Sequence, residues 1–149
     1  MKPTKYPITG TFIDEITYDI PSSNWSNRQW AQDLDYMKEV GMDTLVLMRS
    51  VFYDKCLYPS KIFPSLKKEN EDFIGFLLEE AAKRDMQVFM GMYISNLTWN
   101  HGDYRHEIEQ NKKFIKEVLP RYKDIPSFKG WYIPQEGCST NYNLKETTE

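Results

Sequence analysis

Phe128-Lys129-Gly130-Trp131-Tyr132-Ile133-Pro134-Gln135-Glu136-Gly137 is the stretch whose reading decides the fold. Its aromatic and apolar residues predict a short, buried strand. Pro134 has no N–H to give a ladder, so pairing should end there. Gly137 frees the backbone to turn. The strand therefore delivers one carboxylate, Glu136, at its C-terminal end. The bland alternative is a solvated glutamate in a turn, and the rest of the chain has to supply the context.

Working outward, the same design recurs upstream. Residues 8–16 predict a first strand ending in the acidic pair Asp14-Glu15. Ser26 begins a helix with Gln29 as its capping-box partner, and Trp30, Leu34, Met37 and Val40 recur at helical spacing. Gly41 suits the position after the helix. The run Thr44-Leu45-Val46-Leu47-Met48 is apolar throughout, as in a strand covered on both faces, and leads to Arg49. A long loop over residues 53–68 follows, and loops of that length in compact domains tend to be functional.

A second helix is expected over residues 70–83 and a third strand over 87–94. Tyr93 in that strand faces either the mouth of the sheet or the core. The exit loop 95–103 carries Asn96, Trp99 and His101. A third helix over 104–122 presents Ile108, Ile115, Val118 and Leu119 on one side, with Pro120 weakening its last turn. Residues 1–7 read as an N-terminal extension, 8–138 as the folded unit and 139–149 as a polar tail.

The order β-α-β-α-β-α-β with buried strands calls for parallel pairing and right-handed crossovers. A doubly wound sheet would want a glycine-rich first turn for phosphate, and none follows the first strand. A (β/α)8 barrel gathers its chemistry at the strand exits, where Asp14, Glu15, Arg49, Asn96, Trp99, His101 and Glu136 fall. The expected fold is thus α/β of the TIM-barrel type. A whole barrel needs about 250 residues and this chain has 149, so only the N-terminal half is expected. Phe12, Val46, Met90 and Tyr132, or their strand neighbours, would then stay partly bare. A homodimer through the open strand edges is one way to cover them.

Composition narrows the function classes. Hydrophobic residues make up 40% and charged ones 28%, which suits a globular domain. With a net charge of −3 and no basic patch, nucleic acid is not an expected partner. No apolar run approaches the roughly 20 residues of a membrane span, and residues 1–7 lack the apolar core of a signal peptide. Aromatics reach 15%, including ten Tyr and four Trp, which serve a core or stack on flat ligands such as sugars. Cys56 and Cys138 have no metal-ligand spacing and are read as two free thiols, a disulfide being the alternative. His101 and His106 do not make a metal site, and no cofactor is expected.

Three segments carry a family resemblance: Ile8 to Glu15, Trp30 to Thr44, and Gly130 to Glu136. Together they resemble an uncharacterised family of bacterial glycoside-hydrolase-like barrel domains, a domain-of-unknown-function family related to the clan of retaining (β/α)8 glycosidases. The resemblance implies an oligosaccharide or glycan ligand and a periplasmic or secreted setting. It implies Glu136 as general acid/base, with Gln135 standing where the clan has an asparagine. The clan's nucleophile follows a seventh strand, beyond this chain. Arg49 and His101 are similar to its supporting polar residues, while Asp14, Glu15, Tyr93, Asn96, Trp99 and Gln135 are candidate sugar contacts. The alternative is a non-catalytic carbohydrate-binding or assembly module with a barrel fold.

Overall fold

The computed structural model describes residues 6–17, 20–66, 68–95, 99 and 102–135. Four strands form the main sheet: β1 (Gly10–Ile13), β2 (Thr44–Leu47), β5 (Gln87–Gly91) and β7 (Phe128–Tyr132). All neighbours are parallel, in the order β1-β2-β5-β7. Each new strand is added at the same edge, so the order never reverses as it would in a doubly wound sheet. Between them lie helices α1 (Asn27–Glu39), α2 (Phe73–Ala82) and α3 (Tyr104–Tyr122). The architecture is a partial (β/α) barrel.

Local chemistry sets the helix ends. Ser26 and Gln29 form the expected reciprocal capping box. Asp72 and Asp103 cap α2 and α3 by accepting from Gly75 N and His106 N. Gly41, at φ 93°, takes the left-handed turn after α1. Pro120 lies inside α3, which nevertheless continues to Tyr122. Arg84 ties the first two helices together, donating to Asp35, Glu80 and the Ala31 carbonyl.

The helix-facing side of the sheet is the core. Ile13, Leu47, Met90 and Trp131 stand in register across all four strands. They pack with Trp30, Leu34, Leu78, Phe114 and Val118. The other face is concave and partly bare. Phe12, Val46 and Phe89 share its register, with Phe12 57% exposed. Met90 does not belong to that face, since it is only 1% exposed; its neighbour Phe89 takes the place.

Phe12 and Tyr132 sit on the two outermost strands, yet their rings meet edge to face at 5.4 Å. On a flat sheet three inter-strand steps would hold them about 14 Å apart. The sheet is therefore strongly curled, as barrel closure requires. A bulge between β5 and β7 contributes: Val88 pairs with Phe128, but Phe89 pairs with Gly130, leaving Lys129 over. That extra residue brings Phe128 and Trp131 together, three positions apart, with rings 5.1 Å apart.

The stretch expected as a long loop holds part of a small second sheet. Val51–Phe52 (β3) pairs antiparallel with Lys55–Cys56 (β4) and parallel with Tyr93–Ile94 (β6). The expected third strand accordingly breaks at Met92 and changes sheets. Cys56 is a buried free thiol donating to the Tyr58 carbonyl, and burial raises its pKa; Cys138 lies outside the described residues. Among the described residues no helix is long and apolar enough to cross a membrane.

Candidate functional site

Parallel strands added in sequence direct all their C-terminal ends to one rim. After β1, Asp14 accepts from Ile16 N, Thr17 N and, at 2.6 Å, the Thr17 hydroxyl. It fixes its own loop in an Asx-type turn. Arg49, after β2, approaches Asp14 at 3.8 Å and lies 5.2 Å over the Phe52 ring. Its buried Nε has no hydrogen-bond partner.

Glu15 points the other way and is 2% exposed. Its carboxylate accepts from the Ser22 hydroxyl and pairs with Lys68 Nζ at 2.5 Å. Lys68 in turn sits 5.2 Å over the Phe73 ring. Glu15 and Lys68 border a 260 Å3 cavity that also includes Asn24, Phe52, Tyr53 and Asp54.

A different network serves the exits of β5 and β7. Glu107, buried in the first turns of α3, accepts from Ser95 N at 3.2 Å and from Gln135 Nε2 at 3.1 Å. Gln135 Nε2 also donates to the Tyr93 carbonyl at 2.7 Å. Asn111 completes the frame by accepting from Tyr93 N and donating to its carbonyl. The residue before Glu136 is thus held from two sides. Beside it lies a mostly apolar 340 Å3 cavity with Trp99, Tyr104, Ile108 and Ile133 in its walls.

The expected site residues divide accordingly. Asp14 and Arg49 come together, as do Gln135 and the Tyr93 backbone. The Tyr93 side chain is buried and stacked on Phe63 at 5.5 Å. Burial, then the Glu107 charge, pushes its phenol up to about 12. Trp99 is buried against Tyr104 with ring centroids 5.0 Å apart. Asn96, His101 and Glu136 lie outside the described residues.

Glu107, Asn111 and Lys68 were not among the expected site residues. The sequence did hold a signal for two of them. Tyr104, Glu107, Asn111, Phe114, Val118 and Tyr122 recur at three- and four-residue steps, so a carboxylate and an amide interrupt a buried stripe. The expected stripe was displaced by one position, because Leu119 is exposed and Phe114 is buried. Lys68 had no such signal. Among the described residues no group of three or more His, Cys, Asp and Glu side chains is placed to hold a metal ion.

Residues 8–149 match the family described as Domain of unknown function (DUF4434). The chain is a DUF4434 domain. This domain is similar to a solved structure from Bacteroides thetaiotaomicron VPI-5482 titled a "putative alpha-L-fucosidase". The two are 36% identical with a TM-score of 0.74, over 90% of this chain and 44% of that one. The DUF4434 domain thus spans less than half of that structure's length. Comparison with curated proteins gives no match.

Proposed function

We propose that this DUF4434 domain is glycoside-hydrolase-like and acts on or binds oligosaccharide, with Glu136 as the general acid/base at the end of β7. The carrying observation is the 36% identity to the fucosidase-titled structure across 90% of the chain. The rim of strand exits supports it, since polar groups collect there in the manner of barrel enzymes. Glu107 and the Tyr93 carbonyl fix Gln135, so the backbone leading to Glu136 starts from an anchored residue. Holding a catalytic group through its neighbours keeps it in reacting geometry.

Retaining hydrolysis needs a second carboxylate about 5–5.5 Å from the acid. Asp14 and Glu15 are both committed, one to its turn and the other to Lys68. That observation favours the second reading, a domain that binds glycan without cleaving it, unless a nucleophile comes from beyond these strands. The partly bare concave face around Phe12 supports self-association as a further proposal, which sedimentation at micromolar concentration tests.

The deciding experiment follows turnover of aryl glycosides, an α-L-fucoside among them, alongside calorimetric titration with neutral glycans. Turnover that falls about 100-fold or more in Glu136→Gln supports the acid/base role. Binding without turnover leaves the binding module. The absence of both binding and turnover overturns the reading.

A further inference from the structure

Four independent features converge on the cavity at the β1–β2 side of the rim. The first is a strained residue. Pairing of Val51 with Cys56 and of Phe52 with Lys55 leaves Tyr53-Asp54 as a two-residue hairpin turn. Tyr53 adopts φ 58°, a conformation that favours glycine and that a bulky residue rarely takes. Backbone strain of this kind persists where the surrounding structure enforces it, and it clusters at ligand sites. Here Tyr53 N donates to the Ile94 carbonyl at 2.9 Å, which fixes the turn.

The second feature is exposure. Tyr53 is 51% exposed although it is one of the large aromatic residues, and it is among the residues that border the 260 Å3 cavity. Phe52 lies beside it in the same wall. An aromatic face with a polar edge suits a ligand that has an apolar face and hydroxyls at its rim.

Third, the charges of the cavity cancel. Glu15 and Asp54 supply two carboxylates, while Lys55 and Lys68 supply two ammonium groups. No net charge favours a ligand of either sign. A neutral ligand has both donors and acceptors available in the lining, with Asn24, Ser23 and Thr17 adding more.

The fourth feature is the cavity floor, a buried ion pair. Glu15 has no side-chain exposure and Lys68 only 11%. Such pairs add little to stability compared with apolar packing, because desolvation offsets their attraction. Lys68 spends donors on Glu15 and weakly on the Ser23 carbonyl at 3.5 Å, leaving N–H capacity toward the cavity.

From these we infer that the cavity is a neutral-sugar subsite, with Tyr53 as the stacking platform and Lys68, Asn24 and Asp54 as hydroxyl partners. It rests on the proposed glycan reading and deepens it. The subsite borders the exits of β1 and β3, whereas Gln135 follows β7. A ligand that contacts both parts of the rim is an oligosaccharide rather than a single sugar.

The test is calorimetric titration of the full chain with neutral oligosaccharides and the matching monosaccharides, using three variants at Tyr53. Tyr53→Phe keeps the ring and should bind like the parent. Tyr53→Ala should weaken oligosaccharide binding about tenfold, the value of one stacked ring. Tyr53→Gly relieves the backbone, so it should raise the melting temperature while weakening binding to the same degree. That opposed pair of shifts separates a ligand platform from a structural tyrosine. Oligosaccharide binding that all three variants retain overturns the subsite but leaves the glycan reading standing. Absence of binding by the parent chain to any neutral glycan overturns both.

Discussion

The two sides of the strand-exit rim solve the burial of a carboxylate differently. After β1, Glu15 is neutralised by a full charge on Lys68, and the pair borders a cavity of mixed polar and apolar lining. Next to β5 and β7, Glu107 is held by a backbone N–H and an amide, beside a mostly apolar cavity. The first arrangement leaves donors for a ligand. The second consumes them within the protein and locks the chain that leads to Glu136. On the proposed reading, the first side binds and the second positions.

The largest expected effect lies at the seam between the two sides. A Cβ on Gly91 would meet Leu47 O, Met48 C and Met48 O, all backbone atoms, at 2.3 Å. Gly91→Ala must push β2 and β5 apart just before Arg49. It should cost about 3 kcal/mol or more, as severe overpacking does, or prevent folding. Urea unfolding measures it, and a loss below 1 kcal/mol would mean the two sides are not rigidly joined there.

Next comes the charged side. Glu15→Gln strands the Lys68 ammonium in a largely buried place and should cost about 3 kcal/mol. Combining it with Lys68→Met should recover most of that loss, because no charge is then left buried without a partner. If the double variant is no better than Glu15→Gln, the pair is not coupled as described. On the β5–β7 side, Glu107→Gln keeps one acceptor oxygen and strands no opposite charge, so about 1 kcal/mol is expected. Equal losses for Glu15→Gln and Glu107→Gln would erase the contrast.

A further effect of similar size lies outside both sides. Glu117 accepts from the Tyr58 and Ser60 hydroxyls and from Lys61 N. Burial acts to raise its pKa, but these hydrogen bonds outweigh that and hold it below the ordinary value. A depressed carboxyl stabilises the fold above its unfolded value, about 4.3, and loses that contribution as pH falls through the lower folded value. Glu117→Gln should therefore cost about 1 kcal/mol at neutral pH and flatten the acid limb of stability against pH. An unchanged acid limb would assign that limb to other carboxylates.

Much of this fold was legible in the sequence because periodicity and caps act locally. The capping box at Ser26, the apolar run through Thr44–Leu47 and the stop at Pro134 each report a local constraint. Sidedness was harder. Met90 was placed on the bare face because alternation alone does not fix parity, and only the register with Ile13 and Leu47 does so. Lys129 makes the extra residue of a bulge, and nothing in the sequence announces it. The hairpin of Val51–Phe52 with Lys55–Cys56 was missed because two-residue strands have no period to detect.

The candidate site was less legible for a related reason. Strand exits named Asp14, Glu15 and Arg49 correctly as rim residues, yet their partners come from far along the chain. Glu15 finds Lys68 53 residues on, and Gln135 finds Glu107 28 residues back. Such pairs depend on the curl of the sheet, which no local pattern encodes.

The central claim, that the strand-exit rim is the glycan-binding face, is tested most directly by an amide chemical-shift titration with a neutral oligosaccharide. The account predicts saturable shifts at the β1 and β2 exits, including residues 14–17 and 49–55, and at Gln135 beyond β7. The exposed outer helical surfaces, such as Lys113 and Lys116 of α3, should stay unmoved. Shifts confined to those helices, or none at saturating ligand, would contradict it.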